Sequence, residues 1–161
     1  METVRALASA GARVVIANRD LNNAQEVAAT LRKETGSEKI EAERLDLASL
    51  RSVHEFARNY LAKSRPLNIL VNNAGVGGCP LSYTEDGFEM HIGTNHFGHF
   101  ALTLDLVPAL KEGAKKLGKK SRVINVSSLL HMNSDIDFDD INFKKRAYDV
   151  ITKLYYYFYL T

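Results

Sequence analysis

The chain has 161 residues, 45% of them apolar and 25% charged, with a formal net charge of +2. That is enough to bury one core, and the interspersed charge signs exclude the basic face of a nucleic-acid binder. A lone cysteine excludes an internal disulfide and suits a reducing, intracellular compartment. No stretch reaches the roughly 20 apolar residues of a membrane span, and Glu2 and Arg5 interrupt any leader-like run behind Met1.

Val4, Leu7 and Ala8 give a first helical face, which Gly11 closes. Arg13–Ala17 is a short β-branched run ended by Asn18-Arg19-Asp20. Leu21, Ala24, Val27, Ala28 and Leu31 then fall at helical spacing until Gly36 stops them. Ile40–Asp46 reads as a weaker strand. Leu50, Val53, Phe56, Ala57, Tyr60 and Leu61 form an amphipathic helix with Ser49 as its N-cap. Leu67–Val71 is a strand of buried type, followed by a loop holding Gly77, Gly78 and Pro80 and by a long helix from about Asp86 to Leu110. Arg122–Ser127 is a second buried-type strand. An acidic loop, Asp135 to Asp140, precedes an apolar and aromatic segment, Ala147–Leu160, that reads as helical although its tyrosines also suit a strand.

Strands alternating with helices of this length imply βαβ units and a parallel sheet covered on both faces. Right-handed crossovers make that an α/β, doubly wound, Rossmann-like arrangement. No linker or repeat divides the chain, so residues 1–161 read as a single, partial domain. In such a sheet ligands bind beyond the carboxyl ends of the strands. Asn18-Arg19, Asp46-Leu47, Asn72-Asn73-Ala74-Gly75 and Ser127-Ser128 all follow predicted strands and are expected to line one crevice. An arginine at a strand end in such a crevice suits the extra phosphate of NADP, whereas a carboxylate suits the ribose diol of NAD. Arg19 therefore favours NADP(H) over NAD(H), with Asp20 a competing anion. His96 and His99 share a helix face, but no carboxylate or cysteine joins them at ligand spacing, so packing roles are expected and no metal. Cys79, in Gly-Gly-Cys-Pro, reads as a bystander thiol.

Taken in order, Arg-Ala-Leu-Ala-Ser-Ala-Gly-Ala, Asp46-Leu47, Asn72–Gly75, Asn95-His-Phe-Gly-His-Phe100 and Asn125-Val-Ser-Ser128 resemble the short-chain dehydrogenase/reductase family, especially its retinol-dehydrogenase-like members. The resemblance implies hydride transfer between nicotinamide and an alcohol or carbonyl, with a small lipophilic substrate such as a retinoid. It makes Ser128 the polarising hydroxyl, Asn95 the helical organiser, Tyr148 the proton carrier and Lys153 the group that tunes the tyrosine. Asn18, Arg19, Asp46, Leu47, Asn72, Asn73, Ala74 and Gly75 become cofactor-binding. For Asp46 the alternative is an N-cap of the following helix.

The chain departs from the family pattern in three places. The first strand and its Gly-rich phosphate turn are expected before Glu2, and in the order 3-2-1-4-5 that strand is the central one. Two further strands are expected after Thr161. The family's Tyr-x-x-x-Lys is here Tyr148-x-x-x-x-Lys153, which turns the two side chains about 140° apart on an ideal helix rather than about 40°. A π-bulge would absorb the extra residue; otherwise Tyr148 is a loop residue. The reading is a short-chain oxidoreductase truncated at both ends, with little turnover. The rival is an inactive fragment that associates with itself or with a full-length relative, through the apolar Leu154–Leu160 segment and the unpaired sheet centre.

Overall fold

The computed structural model describes residues 1–127 and 137–148. They form two compact units, Met1–Asp46 and the residues from Leu47 onward.

In the first unit, helix α1 (Glu2–Ser9), strand β1 (Val14–Asn18), helix α2 (Leu21–Thr35) and strand β2 (Ile40–Arg44) follow one another. β1 and β2 pair in parallel, Val14 opposite Ile40 and Asn18 opposite Arg44. The helices end where local chemistry ends them. Asp20 is extended and its carboxylate accepts from the N–H of Asn23 at 3.0 Å, satisfying an orphan donor of the first turn. Gly36 takes the left-handed conformation that stops α2. Ala8, Ala28, Leu31 and Ile40 form the core, with Val4, Val14, Ile16, Val27 and Ala42 packed around it.

In the second unit, helix α3 (Leu50–Ala62) buries Val53, Phe56, Ala57 and Tyr60, a stripe at helical spacing. Ser49 caps it, its hydroxyl accepting from the N–H of Ser52. Strands β3 (Ile69–Asn72) and β4 (Arg122–Asn125) pair in parallel, Asn72 opposite Asn125. Between them run a short helix α4 (Met90–Ile92), a π-helical turn Gly93–Gly98 and the long helix α5 (His99–Leu117). The expected helix from Asp86 thus begins four residues later and changes hydrogen-bond register at Gly93 before continuing as α5.

Two glycines set how closely α5 docks. A Cβ on Gly113 would stand 2.1 Å from the carbonyl oxygen of Leu67, and one on Gly98 would stand 2.4 Å from that of Leu47. With no side chain there, Leu67 N–H donates to the Ala109 carbonyl at 3.0 Å, and the Asn68 amide donates to the Gly113 carbonyl at 2.9 Å. Both strands of this unit read as buried from their apolar sequences, yet every residue of β4 is exposed. An apolar run reports what a strand requires; here Val123 and Ile124 stay 40% and 43% exposed. The segment from Asp149 to Thr161 lies outside the described residues, as do Ser128 and Lys153.

Candidate functional site

The loop that leaves β3 is the best-defined piece of the site. Asn72 is buried; its amide donates to the Asn125 side-chain oxygen at 2.8 Å and to the Thr103 hydroxyl at 3.0 Å, tying both strand ends to α5. Its own side-chain oxygen is buried with no hydrogen-bond partner among the described residues. Asn73, Ala74 and Gly75 follow as exposed chain.

Asn95, from the middle of the π-helical turn, holds this loop in place. Its side-chain oxygen accepts from the Val76 N–H at 2.9 Å, and its amide donates to the Val76 carbonyl at 3.0 Å. This two-bond clamp mimics a strand partner. Gly75 lies against it: a Cβ there would be 3.2 Å from the Asn95 side-chain oxygen. A π-turn is a common device for re-aiming a functional side chain inside a helix. The buried His99 ring sits one turn on, with Nδ1 2.8 Å from the Asn95 carbonyl oxygen. Burial pushes His99 below the ordinary histidine range, and the nearby His96 adds to the shift against the backbone bond. His96 stacks on Phe100 and meets Phe97 edge-on. Among the described residues no group of histidine, cysteine and carboxylate side chains has the makings of a metal site.

In the first unit, the Asn18 side-chain oxygen accepts from the Asp20 N–H at 3.1 Å, and the Asn18 carbonyl accepts from Leu45 N–H at 2.9 Å. Asp20 is committed to capping α2. Arg19 is exposed and makes no hydrogen bond or ion pair among the described residues. Asp46 is half-buried, and the cap of α3 is Ser49 rather than Asp46. Leu47 is buried, its carbonyl under Gly98.

Tyr148 lies where its sequence neighbours do not foretell. Its hydroxyl is 3.0 Å from a Glu89 carboxylate oxygen and 3.0 Å from His91 Nδ1, and its ring meets Phe143 edge-on. Glu89 and His91 are both fully buried and hydrogen-bonded to each other. Cys79 Sγ is 3.0 Å from His91 Nε2. Sequence reasoning missed this cluster because its members come from a loop, a helix start and a distant turn, with no fixed spacing. The one available signal was Glu89 as N-cap of α4, accepting from His91 N–H at 2.9 Å and Ile92 N–H at 3.0 Å.

A parallel α/β arrangement with a clamped, exposed Asn-Asn-Ala-Gly loop at a strand end defines a dinucleotide-fold protein. Residues 1–137 match the short chain dehydrogenase family, and the chain belongs to it. The chain is 46% identical over 148 residues to retinol dehydrogenase 13 of Mus musculus, covering 92% of this chain and 43% of that protein. It thus spans less than half the length of that curated relative. Among solved structures it resembles the Pseudomonas aeruginosa RhlG/NADP active-site complex, with a TM-score of 0.67 and 30% identity over 82% of this chain and 51% of the other. It also resembles the Brucella melitensis 3-ketoacyl-(acyl-carrier-protein) reductase complexed with NADH, with a TM-score of 0.61 and 29% identity over 81% and 52%. Nicotinamide cofactors are common to both neighbours. The residues present fit such a group: an exposed loop braced from behind by Asn95 offers backbone to a flat ligand, and a glycine keeps its face low. No helix among the described residues is long and apolar enough to cross a membrane.

Proposed function

We propose that this chain carries the site of an NADP(H)-dependent oxidoreductase acting on a lipophilic alcohol or carbonyl, of the retinoid kind by its relatives. The observation that carries the cofactor choice is at the end of β1. Arg19 has an uncommitted guanidinium, while the neighbouring acid that would oppose a phosphate, Asp20, is held by the helix it caps. A guanidinium without a partner suits a phosphate dianion, which it binds through paired hydrogen bonds.

Arg19 and Asn18 take the ribose phosphate, Asp46 and Leu47 the adenine, and Asn72–Gly75 the strand-end contacts. The nicotinamide, when bound, supplies or accepts the hydride. Ser128 hydrogen-bonds the reacting oxygen, Tyr148 exchanges its proton, Lys153 tunes Tyr148, and Asn95 organises the loop. The Tyr148 hydroxyl rests against Glu89 and His91, so a substrate oxygen has to draw it away from a buried carboxylate. Turnover by this chain is accordingly low. A reducing compartment suits both the cofactor and the single cysteine.

The test is a titration of the purified, sized chain with NADPH and, in parallel, NADH, followed by nicotinamide fluorescence. NADPH is expected to bind more tightly, Arg19→Asp to weaken it by about tenfold or more, and Asp20→Asn, which keeps the cap, to leave it unchanged. Equal affinity for the two cofactors sinks the NADP(H) preference. A second reading, a non-catalytic partner of itself or of a longer relative, draws support from the exposed Ile69, Val123 and Ile124 of β3 and β4. A chain that elutes only as an assembly and binds neither cofactor favours that reading.

A further inference from the structure

We propose that Cys79 is an activated thiol that adds to α,β-unsaturated carbonyl compounds, with His91 as its base and Glu89 as the group that orients the base. The inference needs neither nicotinamide nor hydride transfer, so it stands or falls apart from the preceding reading.

Three side chains are arranged in series. Cys79 Sγ lies 3.0 Å from His91 Nε2, and the far side of the ring, Nδ1, is hydrogen-bonded to the Glu89 carboxylate. A carboxylate accepts only, so it fixes the proton on Nδ1 and leaves Nε2, 3.0 Å from the sulfur, as the proton acceptor. That is the recurrent logic of an activated nucleophile: a base within hydrogen-bond reach, oriented by a third group.

The carboxylate itself is unusually well held. Its second oxygen accepts from the N–H groups of His91 and Ile92, the Tyr148 hydroxyl donates to the first, and the Glu89 N–H donates to Asn142. Burial would push the Glu89 carboxyl up. The bonds from the His91 side chain, the Ile92 N–H and the His91 N–H outweigh that and hold it below the usual carboxylate range. Glu89 therefore stays charged in a buried place beside the His91 ring. Among the described residues, Glu89 and Tyr148 are titratable groups against His91 on the side away from the sulfur.

Access comes from the other side. Cys79 is partly exposed while His91 and Glu89 are buried. The preceding Gly77 and Gly78 have nothing within 4 Å of where a Cβ would stand. The sulfur is 4.0 Å from Nδ1 as well as 3.0 Å from Nε2, so it stands off the ring's lone-pair axis, and the transfer requires the Cys79 side chain to turn onto that axis.

The addition balances without an oxidant. The S–H proton passes to Nε2, and the thiolate forms a C–S bond at the β-carbon as the C=C π pair moves to the α-carbon and carbonyl oxygen. The imidazolium then returns the proton to the α-carbon. The product is a saturated carbonyl thioether, and His91 ends neutral. Oxidation by a peroxide is the alternative fate of a thiolate, but a chain with one cysteine has no second thiol to resolve the sulfenic acid.

The experiment exposes the full chain to 2-hexenal and follows the Cys79-containing peptide by mass spectrometry across pH. At about pH 6.5 an unassisted thiol is only ~1% ionised; full ionisation gains about a hundredfold, of which about tenfold is lost to reduced nucleophilicity. Wild type is therefore expected to react about tenfold faster than His91→Gln at that pH, with the two rates crossing at about pH 7.5, where roughly a tenth of an ordinary thiol is ionised, and His91→Gln the faster above it. Glu89→Gln is expected to fall between them. If His91→Gln fails to fold, the wild-type profile decides alone: a rate that declines tenfold per unit below pH 8 overturns the proposal. Equal rates in wild type and a folded His91→Gln at the lower pH overturn it too, as does peroxide oxidation of Cys79 without enal addition. Cys79→Ser must abolish the adduct.

Discussion

The two strand pairs are both parallel and end in different surroundings. In β1–β2, Ile40 is fully buried, and the core it joins, with Ala8, Ala28 and Leu31, is supplied by helices α1 and α2. In β3–β4, the equally apolar Val123 and Ile124 remain 40% and 43% exposed. The burial of a strand therefore depends on which helix face reaches it, not on its own apolar content alone. The first pair is a core; the second is held mainly at its ends, by the Asn72 amide on Asn125 and Thr103 and by the Ser121 hydroxyl on the Leu67 and Leu110 carbonyls.

The comparison breaks most sharply on core truncation. Leu31→Ala removes a fully buried side chain and is expected to cost about 2–5 kcal/mol. Val123→Ala, at an exposed position, should cost less than about 1 kcal/mol. Urea unfolding followed by far-ultraviolet circular dichroism gives both. A Val123→Ala cost as large as that of Leu31→Ala would mean β4 is covered in solution, and would favour the association reading over the enzyme one.

A second contrast separates close packing from open loop. Gly113→Ala would place a methyl 2.1 Å from the Leu67 carbonyl, a backbone atom that gives way only if α5 shifts from the start of β3. A loss of about 1–3 kcal/mol is expected. Gly77→Ala meets nothing within 4 Å and should be within about 0.5 kcal/mol of wild type. If the two substitutions prove equally mild, the docking of α5 is looser than the hydrogen bonds of Leu67 and Asn68 imply.

What the sequence disclosed and withheld follows from the range of the forces involved. Helix ends were legible because caps are local: Ser49 and Gly36 act on their own helices, and the four strands fall within about two residues of the apolar runs that announce them. Asp20 carries the same local signal, a polar residue just before a helix, and caps α2 beside the exposed charge of Arg19. The register change at Gly93–Gly98 was not legible; a π-turn differs from an α-helix by one residue of hydrogen-bond offset and leaves the apolar period almost intact. The Cys79–His91–Glu89 cluster was hidden for a stronger reason. Only tertiary folding brings the loop sulfur onto a ring twelve positions later, and a thiol without a ligand-spaced partner reads as inert.

The smallest effect concerns pH and tests whether the π-turn is as tightly packed as the loop clamp requires. His99 is buried against the Asn95 carbonyl and held below the ordinary histidine range by that burial, so its neutral form is the one that folds. In the unfolded chain the ring protonates in the usual range, near pH 6.5. Its contribution is therefore complete above that range and declines as pH falls toward the folded value, because the unfolded state then binds the extra proton. Glu89 acts in the same direction, but only once the pH drops through the carboxylate range, since its folded value is also depressed. Between about pH 7.5 and 5.5 the expected slope is that of His99, and one proton contributes at most about 1.4 kcal/mol per pH unit. His99→Gln keeps an amide donor for the Asn95 carbonyl and cannot titrate; it is expected to be less stable than wild type at pH 7.5 and to lose less on acidification to pH 5.5. An unchanged slope in His99→Gln would mean that the ring reaches solvent, and that Asn95 holds the Val76 loop without a packed turn behind it.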